Sequence, residues 1–276
     1  MADKYWNGNT GTDGDVTDAT NWTPSGVPTA SDNVRLVAGF NTAMSSNLAG
    51  LSGVSLGDFI VEEGYTGTIG TSTADLEITC TSFEFEGSGK AYIDLEASNI
   101  TATIHGSAAS TSVGTFGLYL IGSNLAALVV SSGSVALAGF MGTTATAAAV
   151  RVSGGTVTLG AGCTVTTVTT YGGTINTRAN ITTANGYGGT LRTGEQAAIT
   201  TLLVDGASVD DRATGTITTA TVNSGYLAVK AGTSKTISTL NINAGGGASW
   251  DPNSVTVSAL VVGDDDVPIK VNTSRG

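Results

Sequence analysis

The sequence predicts an all-β protein, a right-handed parallel β-helix with about 16–22 residues in each coil. Three observations support this fold class. A short motif recurs at nearly constant spacing, glycine-bearing turns separate its copies, and no segment has the pattern of an α-helix of normal length. A period of this length is typical of a solenoid, in which every repeat contacts only its neighbours.

The repeat is strongest in the second half of the chain. The first residues of its six copies are spaced by 16, 18, 18, 20 and 20 residues. Crossover connections between parallel strands are overwhelmingly right-handed, which sets the predicted hand of the coil. The copies are Val165-Thr-Thr-Val168, Ile181-Thr-Thr-Ala184, Ile199-Thr-Thr-Leu202, Ile217-Thr-Thr-Ala220, Ile237-Ser-Thr-Leu240 and Val257-Ser-Ala-Leu260.

A glycine-bearing turn and a second short strand follow each copy. Gly-Gly-Thr precedes Val157, Ile175 and Leu191, and Val209 and Leu227 occupy the equivalent position in later coils. Glycine suits such corners because it adopts positive φ without a steric penalty. Each coil is therefore predicted to supply two short strands and to bury a narrow column of Val, Ile, Leu and Ala side chains.

Upstream, the motif is less regular but recurs in four places. It places the solenoid at 34–262, with a looped interruption near 86–124, where the match is poor and Gly106 to Gly117 has loop composition. The four upstream matches are Ala147-x-x-Val150-x-Val152, Leu125-x-x-Leu128-x-Val130, Cys80-x-x-Phe83-x-Phe85 and Leu51-x-x-Val54-x-Leu56.

The two ends of the chain differ from the repeat. Residues 1–33 contain two of the three tryptophans and several Asn-Gly and Asp-Gly turns. An open solenoid end exposes unpaired strand edges, so this segment is predicted to be an N-terminal cap or docking segment. Residues 263–276 are polar and are predicted to form a C-terminal cap or a tail.

Composition excludes several classes of function. Charged residues make up 12% of the chain, about half of the ~25% that is usual for globular proteins. No apolar run approaches the ~18 residues of a membrane-spanning helix, so we expect no membrane partner. The net charge is −11 without a basic stripe, which argues against nucleic-acid binding. The first residues also lack the pattern of a secretory signal peptide.

The two cysteines fall at inward positions several coils apart. With strands ~4.8 Å apart, four coils separate them by ~19 Å, too far for a disulfide. Cys80 and Cys163 are therefore predicted to be small buried hydrophobic residues.

An acidic cluster is the candidate for catalysis. Asp205, Asp210, Asp211 and Arg212 lie close together in the sequence. Two carboxylates beside an arginine suit acid/base chemistry on a polysaccharide or a Ca²⁺ site. The alternative interpretation is a solvated corner, because this segment also has the composition of a turn.

Two further features offer possible metal ligands. Asp264, Asp265 and Asp266 supply carboxylate oxygens but lack the spacing of known Ca²⁺ loops, so a charged cap is the alternative. His105 is the single histidine and is predicted to be a loop or surface residue. No cofactor is expected.

Aromatic residues are the candidates for carbohydrate or partner binding. Trp6, Trp22 and Trp250, with Tyr5 and Tyr65, are able to form sugar-stacking surfaces. The alternative is that the tryptophans of the N-terminal cap cover the open end of the core, because each buries a large apolar area.

Outward threonines raise the possibility of ice binding. Paired hydroxyls flank an inward aliphatic residue in several coils, although two coils interrupt the array. Threonine ladders also stabilise sheets by ~0.2–1 kcal/mol per pair, which is the structural alternative. The pairs are Thr164/Thr166, Thr216/Thr218, Thr236/Ser238 and Thr256/Ser258.

The N-terminal segment carries a resemblance. Trp6-Asn-Gly8, Asn21-Trp22-Thr-Pro-Ser-Gly26-Val-Pro28 and Asp32-Asn-Val34 are similar to the first segments of β-helix proteins related to autotransporter passengers. Similar segments occur in phage virion proteins. The chain shows neither a C-terminal membrane barrel nor an evident signal peptide, which favours the phage proteins as the relevant comparison.

The resemblance and the scarcity of catalytic groups together imply a non-enzymatic structural protein of a phage particle. We expect a capsid decoration (cement) protein or surface component in the virion, docked on the major capsid protein or other virion subunits. A homotrimer is the expected oligomer. The alternatives, in order, are a carbohydrate-binding adhesin-like β-helix, a polysaccharide lyase or hydrolase, and an ice-binding protein.

Overall fold

The structure, a computed structural model, describes residues 2–8, 14–96, 99–106, 116–122, 124–137, 144–232 and 234–263. Within these ranges the chain is a parallel β-solenoid with two short 3-10 helices, at Ala19–Asn21 and Leu48–Leu51, and no α-helix. No helix in the described ranges is long and apolar enough to cross a membrane. The chain divides into two compact units, Met1–Ala147 and Ala148–Gly276.

The first unit is built from two columns of parallel strands. One column follows the order β1–β3–β4–β5–β7–β9, and the other β5–β6–β8–β10. The bounds are β1 (Asp3–Trp6), β2 (Trp22–Thr23), β3 (Asn33–Leu36), β4 (Ser55–Val61), β5 (Leu76–Phe85), β6 (Ala91–Leu95), β7 (Ile100–Ile104), β8 (Leu118–Ile121), β9 (Asn124–Val130) and β10 (Ser134–Leu137).

The N-terminal segment contributes two buried tryptophans to this unit. Trp6 and Trp22 pack edge to face, with ring centroids 5.1 Å apart. Their indole N–H groups donate to the carbonyls of Thr42 and Val16, both at 2.9 Å. β1 pairs antiparallel with β2 and parallel with β3, so the parallel ladder already begins inside the segment predicted as a cap.

One predicted alignment in this unit is wrong. Cys80 lies in register with Leu56, not with Leu51, and Phe83 lies in register with Phe59. The apolar pattern occurs twice in succession here, so the sequence alone is ambiguous. The observed register stacks Phe59 on Phe83 with centroids 5.9 Å apart, whereas Leu51 belongs to the 3-10 helix.

The range predicted as an interruption, 86–124, contains the strands β6, β7 and β8 in parallel pairing. β7 does not match the repeat motif, because Ile100 pairs with Leu125 while Ala102 pairs with Leu128. The longer spacing in β9 is absorbed by a bulge. Most of the predicted loop, 107–115, lies outside the described residues.

The second unit begins within β11 (Ala145–Val152) and also has two strands in each full coil. One column runs through β13, β15, β17, β18, β19 and β21, and the other through β12, β14, β16, β17, β18 and β20. The bounds are β12 (Thr156–Leu159), β13 (Cys163–Thr170), β14 (Thr174–Thr177), β15 (Asn180–Gly186), β16 (Thr190–Thr193), β17 (Ala198–Asp211), β18 (Ile217–Val229), β19 (Lys235–Ile242), β20 (Gly246–Trp250) and β21 (Val255–Val262).

The strand register of this unit confirms the predicted repeat. Val165 pairs with Ile181, Ile181 with Ile199, and Ile237 pairs with both Ile217 and Val257. The first residues of successive motif copies therefore stack on one another in one inward column. Stacking in register keeps apolar surface away from water coil after coil.

Both cysteines are buried and neither forms a disulfide, as predicted. Burial raises the pKa of Cys80 to about 12 and that of Cys163 to about 11. Thiols held in this neutral form are poor nucleophiles, so their contribution is to packing.

Glycine is required where successive corners approach each other. Gly173 has φ +67°, and a Cβ added there would lie 2.5 Å from the carbonyl oxygen of Gly155. Gly53 has nearly the same φ, +71°, but an added Cβ would meet nothing within 4 Å. At Gly53 a side chain would meet only the strain of positive φ, whereas at Gly173 it would also collide with the neighbouring coil.

We expect Gly173→Ala to destabilise the protein more than Gly53→Ala. The exposed site bears only the cost of positive φ, about 1–2 kcal/mol. The corner site adds the displacement of a neighbouring backbone, typically another ~1–3 kcal/mol. Urea denaturation of the two variants measures the difference, and equal losses of stability would contradict the stacked-corner geometry.

Candidate functional site

The last strand, β21, forms an open edge of the second unit. It pairs with β19 along one side, and no strand of the described residues pairs with its other side. Leu260 and Val262 continue the inward columns of Leu240 and Ile242, which are fully buried. Yet Leu260 is 45% exposed and Val262 is 38% exposed. The core therefore ends in apolar side chains that reach the surface.

The N-terminal edge of the first unit is protected by contrast. β2 is only two residues long and is followed by Pro24. The Lys4 ammonium donates to the carbonyls of Pro24 at 3.1 Å and Gly26 at 3.0 Å. Short strands, proline and lysine are the devices that keep sheet edges from pairing with other chains. β21 has none of them along its eight residues.

A pair of exposed tyrosines lies at a corner of the second unit. The rings of Tyr171 and Tyr187 stack at 5.5 Å with an interplanar angle of 13°. They are 58% and 44% exposed. Each is followed by Gly-Gly-Thr at a spacing of 16 residues. That shared Tyr-Gly-Gly-Thr tetrapeptide is the sequence signal for the pair, because it places both tyrosines at the same position of successive corners.

Polar side chains continue the same corner. Val204 is the register partner of Gly186, so Asp205 occupies the corner next to Tyr187. The Ser224 hydroxyl donates to the Asp205 carboxylate at 2.9 Å in the following coil. Aromatic rings beside hydroxyl and carboxylate groups are a combination that suits ligands with both apolar faces and hydroxyls.

The predicted acidic cluster does not converge on one site. Asp205 lies at the tyrosine corner, whereas Asp210 faces outward between Arg212 at 3.1 Å and Lys230 at 3.4 Å. Although burial opposes the change, the hydrogen bond from Arg212 and the charge of Lys230 lower the pKa of Asp210. A general acid needs a raised pKa, so this carboxylate is unsuited to that role.

Asp211 corrects the prediction most sharply, because it is fully buried in the core. Its Oδ2 lies 2.7 Å from the Nζ atom of Lys235, which is equally buried. Its Oδ1 accepts hydrogen bonds from the Thr193 hydroxyl at 2.6 Å and the Ala213 N–H at 3.1 Å. Nζ also donates to the Ala213 carbonyl at 2.8 Å. The group is a buried polar network and not a surface site.

The tryptophans predicted for carbohydrate or partner binding are buried as well. Trp6, Trp22 and Trp250 present little surface to solvent, so none of them offers a free ring face. Tyr65 is buried too, and its hydroxyl donates to the Thr42 carbonyl at 2.8 Å. The assignment of these residues as a binding set is corrected by their packing.

Among the described residues, the possible metal ligands are open to water. The Asp264, Asp265 and Asp266 candidates lie outside the described residues. His105 is exposed, as predicted, and its Nε2 lies 3.6 Å from Glu84. Together with Glu86 these residues place possible metal-ligand atoms within 4.8 Å of one another. The cluster is open to water and has no further feature that indicates a ligand.

Asp94 is a titratable group that the sequence pattern does not single out. Burial, together with the nearby charges of Asp75, Glu96 and Glu77, raises its pKa to about 6. The register places it beside Glu77 on the preceding strand. Asp94 thus lies among other acidic groups, and no ion pair of the described residues includes it.

The predicted threonine pairs do face outward around inward aliphatic residues, as Thr164 and Thr166 do around Val165, and a longer ladder lies beside them. Thr167, Thr183, Thr201, Thr219 and Thr239 lie in register on five successive coils. Such a column stabilises the sheet through cross-strand contacts.

Comparison with protein-family models, with curated proteins and with solved structures finds no match for this chain.

The buried network yields a prediction for stability. Lys235→Met leaves the Asp211 carboxyl group without its buried partner and should cost about 3–5 kcal/mol. The double variant Asp211→Val/Lys235→Met removes both groups, and valine is the residue found at the register partner, Val229. We expect the double variant to be more stable than either single variant in urea denaturation.

Asp210→Asn is the matched control, because it alters the adjacent, partly exposed carboxylate and should cost no more than about 1 kcal/mol. Additive losses in the double variant would show that the two buried side chains do not interact.

Proposed function

We propose that this chain is a non-enzymatic structural protein that docks on a larger assembly through its C-terminal coil. The observation that carries this proposal is the exposed end of the core at β21, where Leu260 and Val262 extend two buried columns to the surface. The N-terminal edge of the first unit is protected, whereas β21 is open. This contrast favours β21 as the docking edge.

The chemistry of docking follows from the edge itself. An open strand offers a row of backbone N–H and C=O groups to an added strand. Such a strand would also cover Leu260 and Val262, which are already more than half buried, so completing the burial contributes about 1 kcal/mol for each side chain. The partner is therefore an extended segment with apolar residues at alternate positions.

A phage particle is the assembly that we propose. Support comes from the resemblance of the N-terminal segment, Trp6 to Val34, to phage virion β-helix proteins. The proposed role is that of a capsid decoration or surface component in the virion, bound to the major capsid protein or another virion subunit. A homotrimer matches the symmetry of such particles. The ion pairs of Asp210 and the burial of Asp211 support a role without catalysis.

The experiment compares particles assembled with different forms of the chain. Wild-type protein should be recovered in purified phage particles by mass spectrometry. Leu260→Asp/Val262→Asp places two charges on the docking edge and should remove the protein from particles, at least tenfold, while leaving it folded by circular dichroism.

Ser258→Asp is the control, because it adds a charge to an exposed, outward position of the same strand and should leave incorporation unchanged. Absence of the wild-type chain from particles, or retention of the double variant, would contradict the proposal.

A carbohydrate-binding function is the second candidate, and the tyrosine corner favours it. Asp205 follows Val204, the register partner of Gly186, so the corner that holds Tyr187 has a carboxylate in the next coil that would face the hydroxyl groups of a sugar ring stacked on Tyr187. This site replaces the buried tryptophans in that hypothesis.

On a glycan array, we expect Tyr187→Ala to weaken binding at least tenfold, about 1.4 kcal/mol. Tyr226→Ala removes a comparably exposed tyrosine outside the stacked pair and should have no effect. If wild-type protein binds no glycan, or both variants bind as wild type does, this candidate is wrong.

A further inference from the structure

The Asp211–Lys235 contact has the features of a reactive pair and not only of an ion pair. Asp211 ends β17 and Lys235 begins β19, and both side chains are inaccessible to water. Val229 is the register partner of Asp211, and Val255 that of Lys235, so apolar side chains lie next to both groups.

The carboxyl group is polarised on one side only. Oδ1 accepts from the Thr193 hydroxyl and from the Ala213 N–H. The Thr193 oxygen itself accepts the N–H groups of Arg212 and Ala213, at 2.8 and 3.1 Å, which directs its own proton to Oδ1. Two fixed donors on one oxygen are the arrangement that stabilises negative charge on a tetrahedral intermediate.

The other oxygen, Oδ2, faces the amine. Its distance to Nζ is 2.7 Å, yet the contact lacks the angles of a hydrogen bond, and Oδ2 has no other partner in the described structure. The distance is the decisive quantity for a reaction, because it places Nζ within reach of the carboxyl carbon whatever the angle at Oδ2. The hydrogen bond from Nζ to the Ala213 carbonyl holds the amine in place.

We propose that Asp211 and Lys235 are joined by an intramolecular isopeptide bond that forms in the folded protein. A proton moves from Nζ to Oδ2, and the Nζ lone pair attacks Cγ. The intermediate carries its negative charge on Oδ1, against Thr193 and Ala213. Its collapse re-forms the carbonyl at Oδ1, breaks the bond from Cγ to Oδ2, and releases Oδ2 as water with a second proton from Nζ.

The reaction is a dehydration that needs no oxidant, reductant or cofactor. Its product is an amide that closes the chain between β17 and β19, across the coil that contains β18. The cross-link would tie together the coils that precede the open edge of β21. This inference is independent of the docking proposal, since a cross-linked core is compatible with any partner.

Intact-mass spectrometry of the full chain under denaturing conditions tests the proposal directly. Wild-type protein of 27.4 kDa should have a mass lower than that of its sequence by one water, about 18 Da. A tryptic digest should contain one branched peptide joining the segments of Asp211 and Lys235. Lys235→Arg keeps a cation at the position but cannot form this amide, and should have the unreduced sequence mass.

Thr193→Val provides a second variant that retains both reacting groups. Loss of the donor to Oδ1 should lower the cross-linked fraction at least tenfold at early times after synthesis. The proposal is overturned if folded wild-type protein still has the full mass of its sequence after prolonged incubation. It is also overturned if Lys235→Arg shows the same loss of one water.

Discussion

Parallel stacking of coils in register is the constraint on which the rest of this structure depends. Each coil gains stability only if its inward side chains lie directly over those of the coil before it, because a single coil cannot bury its own apolar face. The column from Val165 through Ile181 and Ile199 shows this rule in its plainest form. Corners must then be narrow enough to repeat at the strand spacing, which requires glycine at positions such as Gly173.

The side chains proposed for binding or reaction lie where a coil departs from this regular stacking. A corner side chain points away from the core and is free to vary, which allows Tyr171 and Tyr187 to stack in solvent. The last coil has no successor in the described residues, so Leu260 remains exposed at the end of its column. Asp211 and Lys235 are the inward polar pair that departs from the apolar column. They are tolerated in the core because each is the polar partner of the other.

The sequence predicted the second unit well because its motif and spacing vary little. It predicted the first unit less well for two physical reasons. The apolar pattern near Leu51 and Leu56 occurs twice, and only the packing of Phe59 on Phe83 selects the register. The bulge opposite Ile100 then hides the motif in β7.

The candidate site was harder to predict than the fold. Asp210 and Asp211 are adjacent, but one faces solvent and the other the core. This difference arises because β17 extends through Asp211 and alternate residues of a strand face opposite sides. Lys235 follows a Gly-Thr-Ser segment that has the composition of a turn, so nothing in its local sequence places it in the core. Only the closure of successive coils brings it to Asp211.

Amide hydrogen exchange of the isolated chain, resolved by NMR, tests most directly the claim that the solenoid ends in an open edge. The amides of β19, which lies between two strands, should be protected throughout. In β21, alternate amides that point away from β19 should exchange as fast as those of exposed loops. Uniform protection of β21 at the level of β19 would show that the edge is already covered and would contradict the claim.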